Sequence, residues 1–149
     1  MITIKKKLID LCHQAIDKKI DACNAAITMS RESSKEETKS SAGDKYETAR
    51  AMIQQEIDKY SMQLLDAEKQ KAILSGLPMT EDSVIRNGSL VITNNGNFLI
   101  SVSLGQLTID NKNYFAISSA SPIGAILLNK RKGDTFQFRG KDYSIEKVG

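Results

Sequence analysis

The stretch Ser40-Ser41-Ala42-Gly43-Asp44-Lys45-Tyr46-Glu47 decides how this chain folds. It is polar, it holds the first glycine of the sequence, and helical periodicity runs away from it in both directions. Upstream, Leu8, Leu11/Cys12, Ala15/Ile16, Ile20, Cys23 and Ala26/Ile27 recur in steps of three and four, which marks one apolar helical face. Downstream, Tyr46, Ala49, Ile53, Ile57, Tyr60, Leu64, Ala67 and Leu74 form a near-heptad seam with charged residues outside it. Two amphipathic segments of similar length around a short polar turn predict an antiparallel helical hairpin.

Roughly thirty residues per arm at about 1.5 Å each would carry the turn on the order of 45 Å from its base. Arg31 to Lys39 carries charges and no apolar face, so it reads either as an exposed helix extension or as a fraying end. The second arm stops at Ser75-Gly76-Leu77-Pro78, where Gly suits a C-cap and Pro blocks continuation.

After the polar link at Thr80-Glu81-Asp82-Ser83 the apolar period changes to two. Leu90 and Ile92 pair across Asn94-Asn95-Gly96-Asn97 with Phe98, Ile100, Val102 and Leu104. Leu107-Thr108-Ile109 and Tyr114 to Ile117 flank Asp110-Asn111-Lys112-Asn113. Thr135 to Phe138 and Tyr143-Ser144-Ile145 are joined through Arg139-Gly140-Lys141. Between the last two pairs, Ser121-Pro122 is a physical helix start, with Ile123, Ile126 and Leu127 facing a sheet. Lys130-Arg131-Lys132 then supplies cations at the helix C-terminus, and Gly133 reverses the chain. The expected fold is α+β: a hairpin over 1–77 with its tip near 40–47, a link over 78–84, and a small antiparallel sheet with one helix over 85–149.

Composition bounds the function. The 149 residues are 26% charged and 40% hydrophobic, as in an ordinary soluble protein. A net charge of +3 is too weak to argue for nucleic acid. The first residues are basic, but Asp10, His13, Gln14 and Asp17 interrupt the run that a signal peptide or membrane span needs. A cytoplasmic protein without a membrane partner is the default expectation. Cys12 and Cys23 lie on one helical face about 16 Å apart along the axis, too far to bond. They read as small buried residues rather than zinc ligands.

Ile117-Ser118-Ser119-Ala120-Ser121-Pro122-Ile123-Gly124 through Leu127, then Lys130 and Gly133-Asp134, resembles the C-terminal domain of the Gre transcription elongation factors. Gly43-Asp44-x-x-Glu47 resembles the Gly-Asp-x-x-Glu at the tip of their coiled coil, and the architecture is similar over nearly the whole chain. The resemblance implies an FKBP-like C-terminal domain that docks beside the secondary channel of bacterial RNA polymerase. It implies a hairpin that enters the channel, with contact to the nascent RNA only indirect. Asp44 and Glu47 would then help hold a Mg²⁺ shared with the polymerase, Lys45 and Tyr46 would lie against it, and Ser121 and Pro122 would fall in the docking region. Such a factor has no active site of its own, is expected as a monomer, and binds no cofactor stably outside the complex. Where the family continues Asn-Ala-Glu-Tyr, this chain has Thr48-Ala49-Arg50-Ala51.

Two readings of the tip stay open. Asp44-x-x-Glu47 is also a capping box, with Asp44 as N-cap, which explains the spacing with no metal. A second class of function follows: a channel binder that modulates or inhibits polymerase without stimulating cleavage. His13 reads as a helix-surface residue, since no nucleophile or acid constellation accompanies it. Prolyl isomerisation is disfavoured, because fold does not carry function and Trp is absent.

Overall fold

A computed structural model of the chain describes residues 1–39 and 43–149, with side chains outside 37–44. Two long helices come first, α1 (Ile2–Lys39) and α2 (Gly43–Ser75). Helix α1 runs without interruption through Arg31–Lys39, the stretch whose helicity the sequence left open. No Gly or Pro precedes Gly43 to stop it. The seam also goes on in polar form, since Ser30 is buried and Ser34 half-buried at the positions that continue it. Every residue of the expected α2 seam, from Tyr46 to Leu74, is at least half-covered. Helix α2 ends as its sequence requires: Gly76 N–H reaches the carbonyls of Ala72 and Ile73, and Leu77 N–H reaches that of Leu74.

The chain divides into two compact units, residues 16–71 and residues 1–15 together with 72–149. Within the first, Lys71 Nζ meets Asp17 Oδ1 at 2.8 Å, and Ser30 Oγ lies 3.5 Å from Glu56 Oε2. The partner number falls from 71 to 56 as the first rises from 17 to 30, so the arms are antiparallel.

The second unit holds strands β1 (Leu90–Thr93), β2 (Gly96–Ser101), β3 (Gly105–Ile109) and β4 (Lys112–Ser118). Helix α3 (Pro122–Leu127) follows, then β5 (Thr135–Phe138) and β6 (Lys141–Val148). The six strands form one sheet in the order β3-β4-β2-β1-β6-β5. All three expected hairpins are present, and two close on left-handed pairs: Asp110–Asn111 with φ 49° and 63°, and Arg139–Gly140 with φ 50° and 77°. The sheet is not wholly antiparallel, because β2 runs parallel to β4. The chain leaves β2, lays β3 at the edge, and returns as β4 into the gap between them. Alternating residues mark which face a strand buries, but not the direction of its neighbour, so this pairing was invisible in the sequence.

Register sorts the side chains into two faces. Val91, Phe98, Ile100, Tyr143 and Ile145 point to one, where Ile85 and Leu127 complete the buried core. Ile117, Ile123, Leu128, Phe136, Phe138 and Val148 pack around it. Phe136 stacks on Tyr143 with centroids 4.8 Å apart, and Phe98 bridges tilted contacts to Phe115 and Tyr143. The opposite face is split. Leu90, Leu99, Tyr114 and Ala116 are buried on it, whereas Thr135, Gln137 and Asp142 are exposed.

The first turns of α1 belong to this unit. Lys5 is 1% exposed, and its ammonium donates to the carbonyl of Thr80 at 2.9 Å, tying the helix to the link after Pro78. Burial pulls the Lys5 pKa below the ordinary lysine value, and nearby Glu81 opposes that pull.

Candidate functional site

The first functional region named by the sequence is the start of α2. Gly43 and Asp44 lie in the first turn of the helix as described, and the capping contact expected of the Asp44 side chain falls outside the described side chains. An acid in that turn still favours the helix through the positive end of its dipole. The Asp44 carboxylate itself lies outside the described side chains. Glu47 is three residues further on, the interval that places two helical side chains on one flank. It is exposed, and among the described residues it makes no hydrogen bond or ion pair.

The flanking residues divide by position. Tyr46 lies on the half-covered seam, and its hydroxyl accepts a hydrogen bond from Arg50 Nη1 at 3.1 Å. That contact orients one cation along α2 beside the acids. Lys45 is exposed and lines a shallow cleft of about 330 Å³ with Thr48, Ala49 and Met52. Met52 is 63% exposed, an apolar side chain that sequence reading passed over because it lies off the seam. The tip thus offers carboxylate oxygens, two cations and an adaptable thioether within two turns of helix.

As a donor set, Glu47 with Asp44 suits a hard cation that takes one or two carboxylates and fills its other positions with water or phosphate oxygens. Among the described residues no three His, Cys, Asp or Glu side chains converge to hold a metal.

The second region is the start of α3, and here the structure separates Ser121 from Pro122. Ser121 is the N-cap, with φ −67° and ψ 156°. Its Oγ accepts from Gly124 N–H at 3.1 Å and donates to the Ser118 carbonyl at 2.6 Å. Both hydroxyl functions are therefore engaged inside the fold. Gly124 allows this closeness, since a β-carbon there would overlap the Ser118 carbonyl oxygen. Pro122, at the first helical position, is exposed, as are Ala120 and Ala125 on either side of it. The surface a partner could touch is this small apolar one, with Ser121 holding its shape.

The cations expected in the last turn of α3 lie beyond it. The helix ends at Leu127, Leu128 caps it through an N–H to the Gly124 carbonyl, and Asn129 turns left-handed with φ 68°. Lys130 and Arg131 then run beside Val84–Ile85 as a short bridge.

Cys12 and Cys23 are free and buried, and burial raises the Cys12 thiol to about 11, which keeps it protonated. Among the described residues no helix is long and apolar enough to cross a membrane. Comparison of the chain with known protein families and with curated proteins finds no match.

Proposed function

We propose that this chain is a transcription elongation factor that binds bacterial RNA polymerase, inserting its hairpin into the secondary channel. Its C-terminal unit docks outside through the Pro122 surface. The support is the pairing of an antiparallel hairpin with an exposed, unpartnered Glu47 in the first turns of its second arm, three residues from Asp44. An exposed carboxylate on a helix suits delivery of a ligand to a metal that belongs to the polymerase. There, Mg²⁺ would activate water and stabilise the leaving oxygen of the transcript. The chain's own residues position: Asp44 and Glu47 supply oxygens, and the Tyr46–Arg50 contact stiffens the turn that carries them. The factor is not itself an enzyme.

One observation favours a second reading, in which the hairpin occupies the channel without stimulating cleavage. Lys45 and Arg50 stand within a turn of Glu47, and cations so close offset the charge that draws a divalent ion.

Purified backtracked elongation complexes test both. Shortening of the transcript that is lost in Asp44→Asn and Glu47→Gln supports the first reading. Saturable binding that slows elongation without shortening supports the second. Failure of the protein to bind polymerase at all removes both.

A further inference from the structure

The hairpin unit, residues 16–71, is not held evenly along its length. Among the described residues its buried apolar side chains are Ile16, Cys23, Ile27 and Ala67. Past Ile27 on α1 and Ile57 on α2 the buried position is filled by Ser30, 7% exposed, and the next one by half-buried Ser34. The apolar seam residues that α2 brings to this stretch, Tyr46, Ala49 and Ile53, are only half-covered. Ala49 and Ile53 also stand in the wall of an open cleft of about 300 Å³ with Met52 and Glu56. Ser30 Oγ reaches across to Glu56 Oε2, but at 3.5 Å that contact is at the long limit of a hydrogen bond.

The sequence of α1 beyond Ile27 is a poor helix on its own. Thr28 to Lys39 is twelve residues, about the length at which even an alanine-rich helix is marginal in water. This stretch has no alanine, and Thr28, Ser30, Ser33, Ser34 and Thr38 are weak helix formers. Arg31 with Lys35, and Glu32 with Glu36, set like charges four residues apart, which lowers helix stability. Glu32 with Lys35, opposite charges three apart, offsets part of that loss. The outer part of α1 therefore depends on α2 for its helicity, and it meets α2 through serines. The inner arms differ, because their four buried apolar side chains hold them without help from the turn.

We propose that the hairpin is built as two cooperative segments. The outer one, residues 28–36 of α1 with 45–56 of α2, opens and recloses while the inner arms, 16–27 and 57–71, stay paired. The Ser30–Glu56 contact is the clasp at the boundary. Opening strips Tyr46, Ala49 and Ile53 of their cover and releases from α1 the turn of α2 that carries Glu47. The closed hairpin is thus one of two states, and a partner that contacts only one of them shifts the balance. The two-segment build belongs to the free chain and does not rest on polymerase binding.

Amide hydrogen exchange of the full chain, read by mass spectrometry on fragments of the two arms, is the test. Outer fragments should exchange at least about tenfold faster than inner ones, with a step at Ile27 and Ile57. Ile53→Ala should speed exchange in the outer parts of both arms together and leave the inner arms unchanged. Ser34→Leu, which puts an apolar side chain on a half-buried seam position, should slow both outer parts by roughly tenfold. Ile16→Val, a mild change in the inner arms, should speed exchange there and leave the outer segment unchanged. Uniform protection along the hairpin overturns the proposal. So does exchange that rises smoothly towards the turn with no step, which is ordinary fraying of helix ends. An outer segment that follows Ile16→Val, or an Ile53→Ala effect confined to α2, overturns it as well.

Discussion

Ser121 donates its hydroxyl proton to the carbonyl oxygen of Ser118 at 2.6 Å while the same oxygen atom of Ser121 caps Gly124. The strand that ends at Ser118 and the helix that starts at Pro122 are thus locked by one side chain. The residue beside it, Pro122, is left exposed. The capping role and the exposed surface therefore fall on adjacent residues and can be separated by mutation.

Ser121→Ala should lower the unfolding free energy by about 1–2 kcal/mol, the usual worth of an N-cap. Gly124→Ala should cost about 1–3 kcal/mol or more, because backbone must move to admit the methyl group. Pro122→Glu should stay within about 0.5 kcal/mol of the parent in urea titrations, as an exposed substitution does. If docking uses this surface, the same variant should bind polymerase more weakly, a loss that its unchanged stability cannot explain.

The hairpin should be held by its seam and not by its ion pair. Asp17 and Lys71 are each about half exposed, 51% and 46%, so Asp17→Asn should cost less than about 1 kcal/mol and the loss should shrink in high salt. Ile16→Ala and Leu74→Ala, which empty buried positions, should cost about 2–5 kcal/mol each. Equal losses in the two classes, measured by chemical denaturation, would count against this division.

Lys5 should weaken the fold at neutral pH and do so less in alkali. Its pKa is lowered by burial, so between that value and the ordinary one near 10.4 the unfolded chain binds more protons than the native one. Stability from this group therefore rises with pH across that window and is smallest below it. Lys5→Met should be at least as stable as the parent at pH 7, with its advantage narrowing as pH rises across that window and smallest above it. Lys5→Ala should be less stable at both, because it adds a cavity. Thermal unfolding of the three proteins at pH 7 and pH 10.5 reads the difference.

Cys12 should resist thiol reagents in the native state. Its thiol is buried and held near pKa 11, so at pH 8 almost none is thiolate. In the Cys23→Ala variant, Ellman's reagent should react with Cys12 slowly until urea unfolds the chain, and then at the rate of a free thiol. Fast reaction of the folded variant would mean that the helix base opens readily.

Much of the architecture was legible in the amino-acid order. The spacing of Tyr46, Ile53, Ile57 and Leu64 defined the second arm, and Ser121-Pro122 defined the start of α3, because helical period and caps are properties of neighbouring residues. The alternation around Asp110-Asn111 and Arg139-Gly140 located hairpins for the same reason. Ser30 went unnoticed as a seam member, since burial of a serine depends on the arm opposite it. Met52 was passed over because nothing in the local pattern says what an off-seam apolar residue faces.

What the sequence determined by itself is therefore the set of elements, their inward faces and the acids carried at the start of α2. Only the tertiary structure decided that β4 enters beside β2 in parallel and that Lys5 is sealed against Thr80. It also decided that Lys6, Asp10 and His13 share a cleft with Leu74 and Met79, more than sixty residues away. The physical reason is one of range. Period, capping and turn chemistry act over about four residues, whereas burial and pairing depend on which distant segments the folded chain brings together.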